Sequence, residues 1–509
     1  MDADDIPTTS PRLPIELCEH IIGAVYSERF YLVSDALATL SRCSLVCRAW
    51  RPRSQMILFT YVLLKDKAML HRFAALLDGA PHLGRYVRTL SLRGHHHRPD
   101  STVVLFPTVL RNRLPSLVRL SIAEEQPQVD AVAESATGTN NLKKPPLCLP
   151  IHPRFPALMT KFAHIRELNL SNTTFPSFGD LCRILDRLTG LQEILALSVS
   201  YAVLGLLPQC MLKDVGKLGA SKRFLPNLRA LLCYDMGEEG TQRLTAALGP
   251  SLLKLWVKFP NEPVLSKADN PLILDDHSEP LVGLDLQQFR NLAHLGFRLG
   301  RGLREDAAAR EALGATLLSW AALITTGSSD GTSHHSQGSR NQTESVKNRY
   351  LHLGAWWRAA FTRDEYVALF RTLGAMVEET LVAKKADPGS SETRRSDRSQ
   401  GQGQGQPQPG EEAPQQDVDP CLVTVVVRDL GDRLDWEDWW SAQMVGCFPT
   451  FSTWNRLVVQ VVHAGNPNDR WKGFDDAPPE NASVYLDERA RLRMNAVKKA
   501  ALYRGQVLR

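Results

Sequence analysis

The spacing apolar-x-x-apolar-x-apolar recurs along this chain and constrains its fold more than any other feature. It occurs at Val87/Leu90/Leu92, Leu117/Leu120/Ile122, Ile165/Leu168/Leu170, Leu228/Leu231/Cys233, Leu252/Leu255/Val257, Leu292/Leu295/Phe297 and Leu422/Val425/Val427. A weaker copy is Leu191/Ile194/Ala196, and Trp454/Leu457/Val459 is a further candidate. Side chains alternate along a strand, so the last two positions of each copy share one face of a short strand. Helical patterns lie between copies. Phe178, Leu181, Leu185 and Leu188 fall on one helix face, as do Tyr366, Leu369, Phe370, Leu373, Met376, Val377 and Leu381. The class is therefore α/β.

One strand plus one helix per unit is the logic of leucine-rich repeats, in which a unit buries its apolar face only by stacking on its neighbours. Spacings run from 24 residues (Leu228 to Leu252) to 48 (Leu117 to Ile165), whereas regular repeats take roughly 20–29. The expectation is a degenerate leucine-rich-repeat-like solenoid over residues 76–325, closed by a solenoid end and cap at 421–509. A generic α/β or α+β domain whose strands share a hydrophobic pattern is the alternative. Polar, Pro-, Gly-, Ser- and Gln-rich stretches at 124–150, 326–347 and 388–420 carry too little apolar surface to offset ordering, so they read as disordered insertions. Residues 348–386 read as a helical segment.

The chain has 509 residues, with 60 Lys and Arg against 55 Asp and Glu for a net charge of +5, so bulk attraction to nucleic acid or to a membrane is not indicated. Hydrophobic residues at 43% suffice for a sizeable core, and the length suggests roughly three domains, or fewer with a repeat array. The acidic Met1–Asp5 opening has no apolar run after it, so it does not read as a secretory signal. The longest uncharged window, Ile194–Leu212, is broken by Pro208 and Gln209 and reads as a buried strand plus the start of a helix. Nine scattered cysteines without a Cys-x-x-Cys fit free thiols in the cytoplasm or nucleus rather than a zinc site.

Residues 10–64 read differently from the rest. Leu13-Pro14-Ile15-Glu16-Leu17 opens a helix, with Pro14 in the first turn and Glu16 at its positive end. Leu17, Ile21 and Ile22 form an apolar stripe. A second helix with Leu37, Leu40, Cys43, Leu45, Val46, Cys47, Ala49 and Trp50 is apolar around most of its girth, so it must bury surface on two sides. Pro52 restarts a third helix with Met56, Ile57, Phe59 and Val62. So short a unit has little core of its own and needs a partner.

The residues Leu13-Pro14, Glu16-Leu17 and the block Cys43-Ser44-Leu45-Val46-Cys47-Arg48-Ala49-Trp50-Arg51 resemble an F-box. Together with the irregular leucine-rich units, the chain is similar to F-box proteins of mushroom-forming fungi. The stretch Tyr26–Ala36 makes the first connection longer than the family's compact form. The resemblance implies docking on the S-phase-kinase-associated adaptor, and through it on a cullin. Leu13, Pro14, Leu17, Leu45, Val46, Cys47 and Trp50 would then lie at or beneath that interface. A helical cap sealing the first strand is the alternative.

Other motifs point to no chemistry. Gly327-Ser328-Ser329-Asp330-Gly331 matches a hydrolase elbow, but a helical pattern precedes it where a strand is required, so Ser329 reads as a loop residue. His95-His96-His97 reads as an exposed loop, because three consecutive side chains do not converge on one ion from regular backbone. Trp436, Trp439 and Trp440 read as a packed cap helix, and the basic run Arg489–Arg509 as a solvated helix. No Walker loop, His-Glu-x-x-His, EF-hand or Ser/His/Asp signature occurs. No catalytic residue, metal ligand or cofactor is assigned.

If the strands line one open face, the residues between the apolar positions point outward. They are Arg93, Arg119, Lys254, Trp256, Lys258, His294, Arg298, Thr424 and Arg428, against Glu167 and Glu193. This basic bias suggests a surface for an acidic or phosphorylated protein segment, with Arg93, Arg119, Lys254, Trp256, Lys258, Arg298 and Arg428 as its substrate-binding residues. The functional expectation is a non-catalytic substrate-recognition subunit of a Skp–cullin–F-box type ubiquitin ligase, acting by proximity. A scaffold that carries the F-box without delivering substrates is the alternative, and an α/β enzyme a third.

Overall fold

The computed structural model describes residues 14–25, 33–98, 100–124, 148–204, 224–234, 236–259, 283–299, 303, 306–326, 349–355, 363–386, 421–429 and 436–463. It is mixed α/β and divides into two compact units, the first essentially up to Leu228 and the second essentially from Thr241 to Asp469.

The first unit opens with helices α1 (Ile15–Val25), α2 (Val33–Val46) and α3 (Arg51–Thr60). Strand β1 (Tyr61–Leu64) follows α3 without a break. Then come α4 (Lys67–Gly79), β2 (Thr89–Gly94), α5 (Thr102–Val109), β3 (Arg119–Glu124), α6 (Phe155–Met159), β4 (Glu167–Ser171), β5 (Thr174–Ser177), α7 (Phe178–Arg187), β6 (Glu193–Leu197) and β7 (Ser200–Val203). Strands β1, β2, β3, β4 and β6 pair in that order, all parallel. Strands β5 and β7 form a small parallel pair of their own.

Helix starts follow local chemistry. The Asp66 carboxylate accepts from Met69 N–H at 2.7 Å and caps α4. Ser101 Oγ accepts from Val104 N–H at 3.3 Å and caps α5. Ser177 Oγ accepts from Asp180 N–H at 3.0 Å and donates to Asp180 Oδ2 at 2.7 Å at the head of α7. Phe178, Leu181, Leu185 and Leu188 are buried, the face anticipated from their spacing, and Cys182 and Ile184 of α7 are buried as well.

Strand β8 (Ala230–Tyr234) and helix α8 (Glu238–Ala247) lie along the division between the units. The second unit contains β9 (Lys254–Phe259), β10 (His294–Leu299), the Ala307–Thr326 helix, β11 (Tyr350–Ala355), the Arg363–Ala386 helix, β12 (Leu422–Asp429), the Trp436–Cys447 and Pro449–Thr453 helices and β13 (Leu457–His463). Strands β9 to β13 pair in sequence order, again all parallel.

Strands β3, β4, β6, β10, β11 and β12 are each entered by the same hydrogen bond to the residue just before the preceding strand of the sheet. In the first unit Arg119 N–H donates to Arg88 O at 2.9 Å, Glu167 N–H to Val118 O at 3.1 Å, and Glu193 N–H to Arg166 O at 2.9 Å. In the second, His294 N–H donates to Leu253 O at 2.9 Å, Tyr350 N–H to Ala293 O at 2.8 Å, and Leu422 N–H to Arg349 O at 2.9 Å. A recurrent bond at one position keeps successive strands in register. The strands' inward side chains, among them Leu90, Leu120, Leu168, Leu255, Leu295 and Leu351, are buried to 2% exposure or less. Burying one such side chain contributes about 1.5–3 kcal/mol.

Several boundaries differ from the sequence expectation. Val62 lies in β1 rather than on the third helix, because Phe59, Val62 and Leu64 repeat the strand spacing and Val62 pairs in register with Leu90. The sheet therefore starts at Tyr61, inside the 10–64 segment, and the expected boundary at 76 falls within α4. The segment 348–386 opens with strand β11 before its helix. Its inward Leu351 and Leu353 fit the pattern, but Asn348 replaces the first apolar residue and hid the copy. At β12 the register matches Val423 and Val425 to Leu351 and Leu353, two residues earlier than the copy read from sequence. The same face still points inward.

His96 is buried, and its Nε2 lies 3.0 Å from the carbonyl oxygen of Ala123, so the histidine run is a loop that packs rather than an exposed one. Trp440 is buried on the Trp436–Cys447 helix and meets Tyr366 edge-on at 5.9 Å, the packed-cap arrangement. The insertion cores 125–147, 327–348 and 387–420, Ser329, and the 489–509 run lie outside the described residues. The described cysteines are free thiols. Among the described residues, no helix is long and apolar enough to cross a membrane.

Candidate functional site

Two surfaces qualify, one on the N-terminal helices and one on the second unit's sheet. The helices close on a small core of Ile22, Leu40 and Ile57, with Val25, Trp50, Met56 and Leu58 packed against it. Helix α1 turns Cys18 and Ile22 inward at i, i+4 spacing. Three of its other apolar residues face out: Ile15 is 43% exposed, Leu17 51% and Ile21 47%. At the C-terminal end of α2, Leu45 and Val46 are 77% and 63% exposed. Scattered exposed apolar residues are ordinary, but here five lie on two short helices.

The residues tied to adaptor docking divide as follows. Pro14, Leu17, Leu45, Val46 and Cys47 are exposed, Trp50 is half-buried against the helical core, and Leu13 lies outside the described residues. Reading Leu17, Ile21 and Ile22 as one stripe was incorrect. Ile22 points into the core and the other two point out, because the inward arc of α1 runs through Cys18 and Ile22.

The outward strand positions separate by unit. In the first unit, Arg119 and Glu167 stand opposite one another in register and form an ion pair. Glu193 is in register beside Glu167 and is buried. Arg93 is half-buried on β2. A basic surface is therefore not what the Arg119 row presents: its one cation is matched, and a second carboxylate stands next to the pair.

The second unit is different. Lys254 stands opposite His294, Trp256 opposite Gly296, and Lys258 opposite Arg298. On β11 the same rows continue as Tyr350, His352 and Gly354, and on β12 as Leu422, Thr424 and Val426. Lys254, Lys258 and Arg298 are half-buried. Arg428 follows on β12 opposite Val462, with its side chain outside the described residues.

Trp256, read from sequence as an outward contact residue, is only 8% exposed. The glycine at 296 explains this. A Cβ there would overlap the indole, so the absence of a side chain lets Trp256 lie flat across β10. Its ring then reaches His352, 5.0 Å away and 23° from parallel. His294 lies against Tyr350 at 4.6 Å and 6°. Burial pushes the His352 imidazole down to about 3, with the neighbouring His294 and Lys254 adding to the shift. Burial, then Lys254, lowers His294 to about 4. Tyr350 and His352 escaped sequence reasoning, since β11 lacks the complete spacing. The glycine opposite Trp256 is the signal that marks the cluster.

Among the described residues, no group of three or more His, Cys, Asp and Glu side chains is arranged to hold a metal ion. No protein-family model matches the chain, and no curated protein matches it.

Proposed function

We propose that the chain is a non-catalytic substrate-recognition subunit of a Skp–cullin–F-box type ubiquitin ligase. Helices α1–α3 dock on the S-phase-kinase-associated adaptor, and the strand–helix units, a degenerate leucine-rich-repeat-like solenoid, hold a protein substrate. The observation that carries this reading is the exposure of Leu45 and Val46, adjacent residues at the end of a helix whose Leu40 is fully buried. Neither contributes to the helical core, and apolar surface left in water at one place on a small unit marks a docking surface. The recurrent strand-entry hydrogen bonds support the repeat reading.

Calorimetric titration of the full chain with purified adaptor tests the proposal. Submicromolar binding is expected, and Leu45→Asp/Val46→Asp should abolish it while leaving the unfolding midpoint unchanged. A folded chain that ignores the adaptor overturns the reading.

A further inference from the structure

The strand-entry rim of the first unit carries charge of one sign. Four turns lead into β2, β3, β4 and β6, at residues 80–88, 110–118, 160–166 and 187–192. They hold Arg85, Arg88, Arg111, Arg113, Lys161, Arg166 and Arg187, and neither Asp nor Glu. The chain as a whole is nearly balanced, with 60 basic residues against 55 acidic. Arg113 is matched, since its Nε and Nη2 donate to the two carboxylate oxygens of Asp78 at 2.8 and 2.9 Å. The other six are exposed, and among the described residues none of their side chains makes an ion pair or a hydrogen bond.

Backbone bonds fix where these cations stand. Val118 N–H donates to Arg88 O at 2.8 Å, and Arg166 N–H to Val118 O at 2.9 Å. Arg88 and Arg166 are therefore two strands apart, about 10 Å along the rim. Gly190 N–H donates to Ala163 O at 2.8 Å, which sets the turn after Arg187 beside the turn after Lys161. A cation in the last turn of a helix offsets that helix's dipole, and Arg187 does so for α7. Arg88 and Arg166 lie beyond the helix ends, next to their strands, so no helix terminus accounts for them.

We infer that this rim docks an extended acidic segment of a partner protein, whose carboxylates are taken by Arg88 and Arg166. The inference goes beyond the receptor reading and does not depend on it. The side chains select the partner. Five of the six cations are arginine, whose planar fork matches a carboxylate with two parallel bonds. Arg113 already holds Asp78 in that way at the same rim. Single-stranded nucleic acid also draws on aromatic faces for its bases. These turns present no exposed Phe, Tyr or Trp, because Phe162 is buried and Tyr86 half-buried.

The test uses the full chain and fluorescence anisotropy. The probe is a labelled Ser/Gly peptide with glutamate at every third position, a spacing of about 10 Å when extended. Its counterpart has glutamine at the same positions. The Glu peptide should bind at low salt and weaken as salt rises, and the Gln peptide should not bind. Arg88→Glu/Arg166→Glu should weaken binding by about tenfold or more. Arg88→Gln/Arg166→Gln should act in the same direction. Lys65→Glu/Lys67→Glu makes the same change of net charge at exposed residues beyond the other end of β1, and it should have no effect.

Equal binding of the Glu and Gln peptides overturns the inference. Equal weakening by the Lys65/Lys67 reversal does so too, because bulk charge would then be the cause. Single-stranded RNA or anionic vesicles that bind through Arg88 and Arg166 where the Glu peptide does not would also overturn it. So would binding that emerges only when residues 1–12 are deleted, because that stretch holds Asp2, Asp4 and Asp5 and would itself be the occupant. Adaptor affinity is measured on the same samples. Adaptor binding without peptide binding removes this inference alone, and peptide binding without adaptor binding removes the ligase reading alone.

Discussion

Nδ1 of His294 lies 3.2 Å from Nε2 of His352, across the β10–β11 pair. The two imidazoles are hydrogen-bonded in the interior of the cluster, and such a bond requires one nitrogen to accept and therefore to be unprotonated. Burial and Lys254 also oppose protonation of both rings.

A pH dependence of stability follows. In the unfolded chain each histidine takes up a proton near its ordinary value of 6.5, whereas in the folded chain His294 does so at about 4 and His352 at about 3. Between these values the unfolded state binds more protons, so stability is full above pH 6.5 and falls as pH drops towards 4. The slope is at most about 1.4 kcal/mol per pH unit for each histidine. Urea midpoints measured from pH 7.5 downward should show this decline, and His352→Gln should flatten it. An unchanged slope in that variant would mean that the pair is not the source.

The glycine under Trp256 gives a second prediction. Gly296→Ala would place a methyl group within the volume of the indole. The ring cannot move away without leaving His352, so the substitution should cost about 1–3 kcal/mol by overpacking. It should also shift tryptophan emission to the red as the indole is lifted into water. Gly446→Ala is the control, since its Cβ would meet nothing within 4 Å. Gly446→Ala should be neutral or stabilising, because alanine reduces the entropy of the unfolded chain, and loss of stability in both variants alike would mean that the ring contact is not the source.

How much of this was legible beforehand depended on what each residue's spacing encodes. Leu168, Leu170, Ile194 and Ala196 were placed correctly because a buried face repeats along a strand and needs no knowledge of neighbours. Strand β11 was missed since the same face there begins with Asn348. Arg119 was read as a substrate-binding residue because its partner Glu167 is 48 residues away, and a register between strands is not written in either strand alone. Trp256 was taken as outward-facing and so exposed; whether an outward residue is covered depends on the residue opposite, here a glycine. The helical surface was the reverse case. Leu45 and Val46 were singled out by type, but only packing separates them from Leu40, which has the same type and lies nearby on the same helix.

A distant cap yields a third prediction. Both oxygens of Glu378 engage Thr450, with Oε1 accepting from its N–H at 2.7 Å and Oε2 from its hydroxyl at 3.1 Å. The Pro449–Thr453 helix has no side-chain cap from Phe448, so Glu378 supplies from another helix what the local sequence lacks. Glu378→Ala leaves a part-buried N–H without that partner and should cost about 1–3 kcal/mol. In a double-mutant cycle with Thr450→Val, the two effects should fall short of additivity, since the pair shares one bond. Strict additivity would mean that Glu378 acts elsewhere.

Leu40 and Leu45 sit on the same helix and make opposite predictions. Leu40 is fully buried among Ile22 and Ile57, so Leu40→Ala should cost about 2–5 kcal/mol as cavity and transfer terms add. Leu45 is 77% exposed, so Leu45→Ala should change stability by no more than about 0.5 kcal/mol. Adaptor affinity should respond in the other order among variants that remain folded. At low temperature, where Leu40→Ala is still native, its affinity should be close to that of the unaltered chain, while Leu45→Ala weakens binding. Truncating a well-packed interface anchor costs about 2 kcal/mol or more, a roughly 30-fold change that calorimetry resolves easily. The alternative, that these helices only seal the first strand, makes a different prediction for the same pair. A cap loses stability with Leu40 and nothing measurable with Leu45, in the presence of adaptor or without it. The affinity of Leu45→Ala therefore separates a docking helix from a cap.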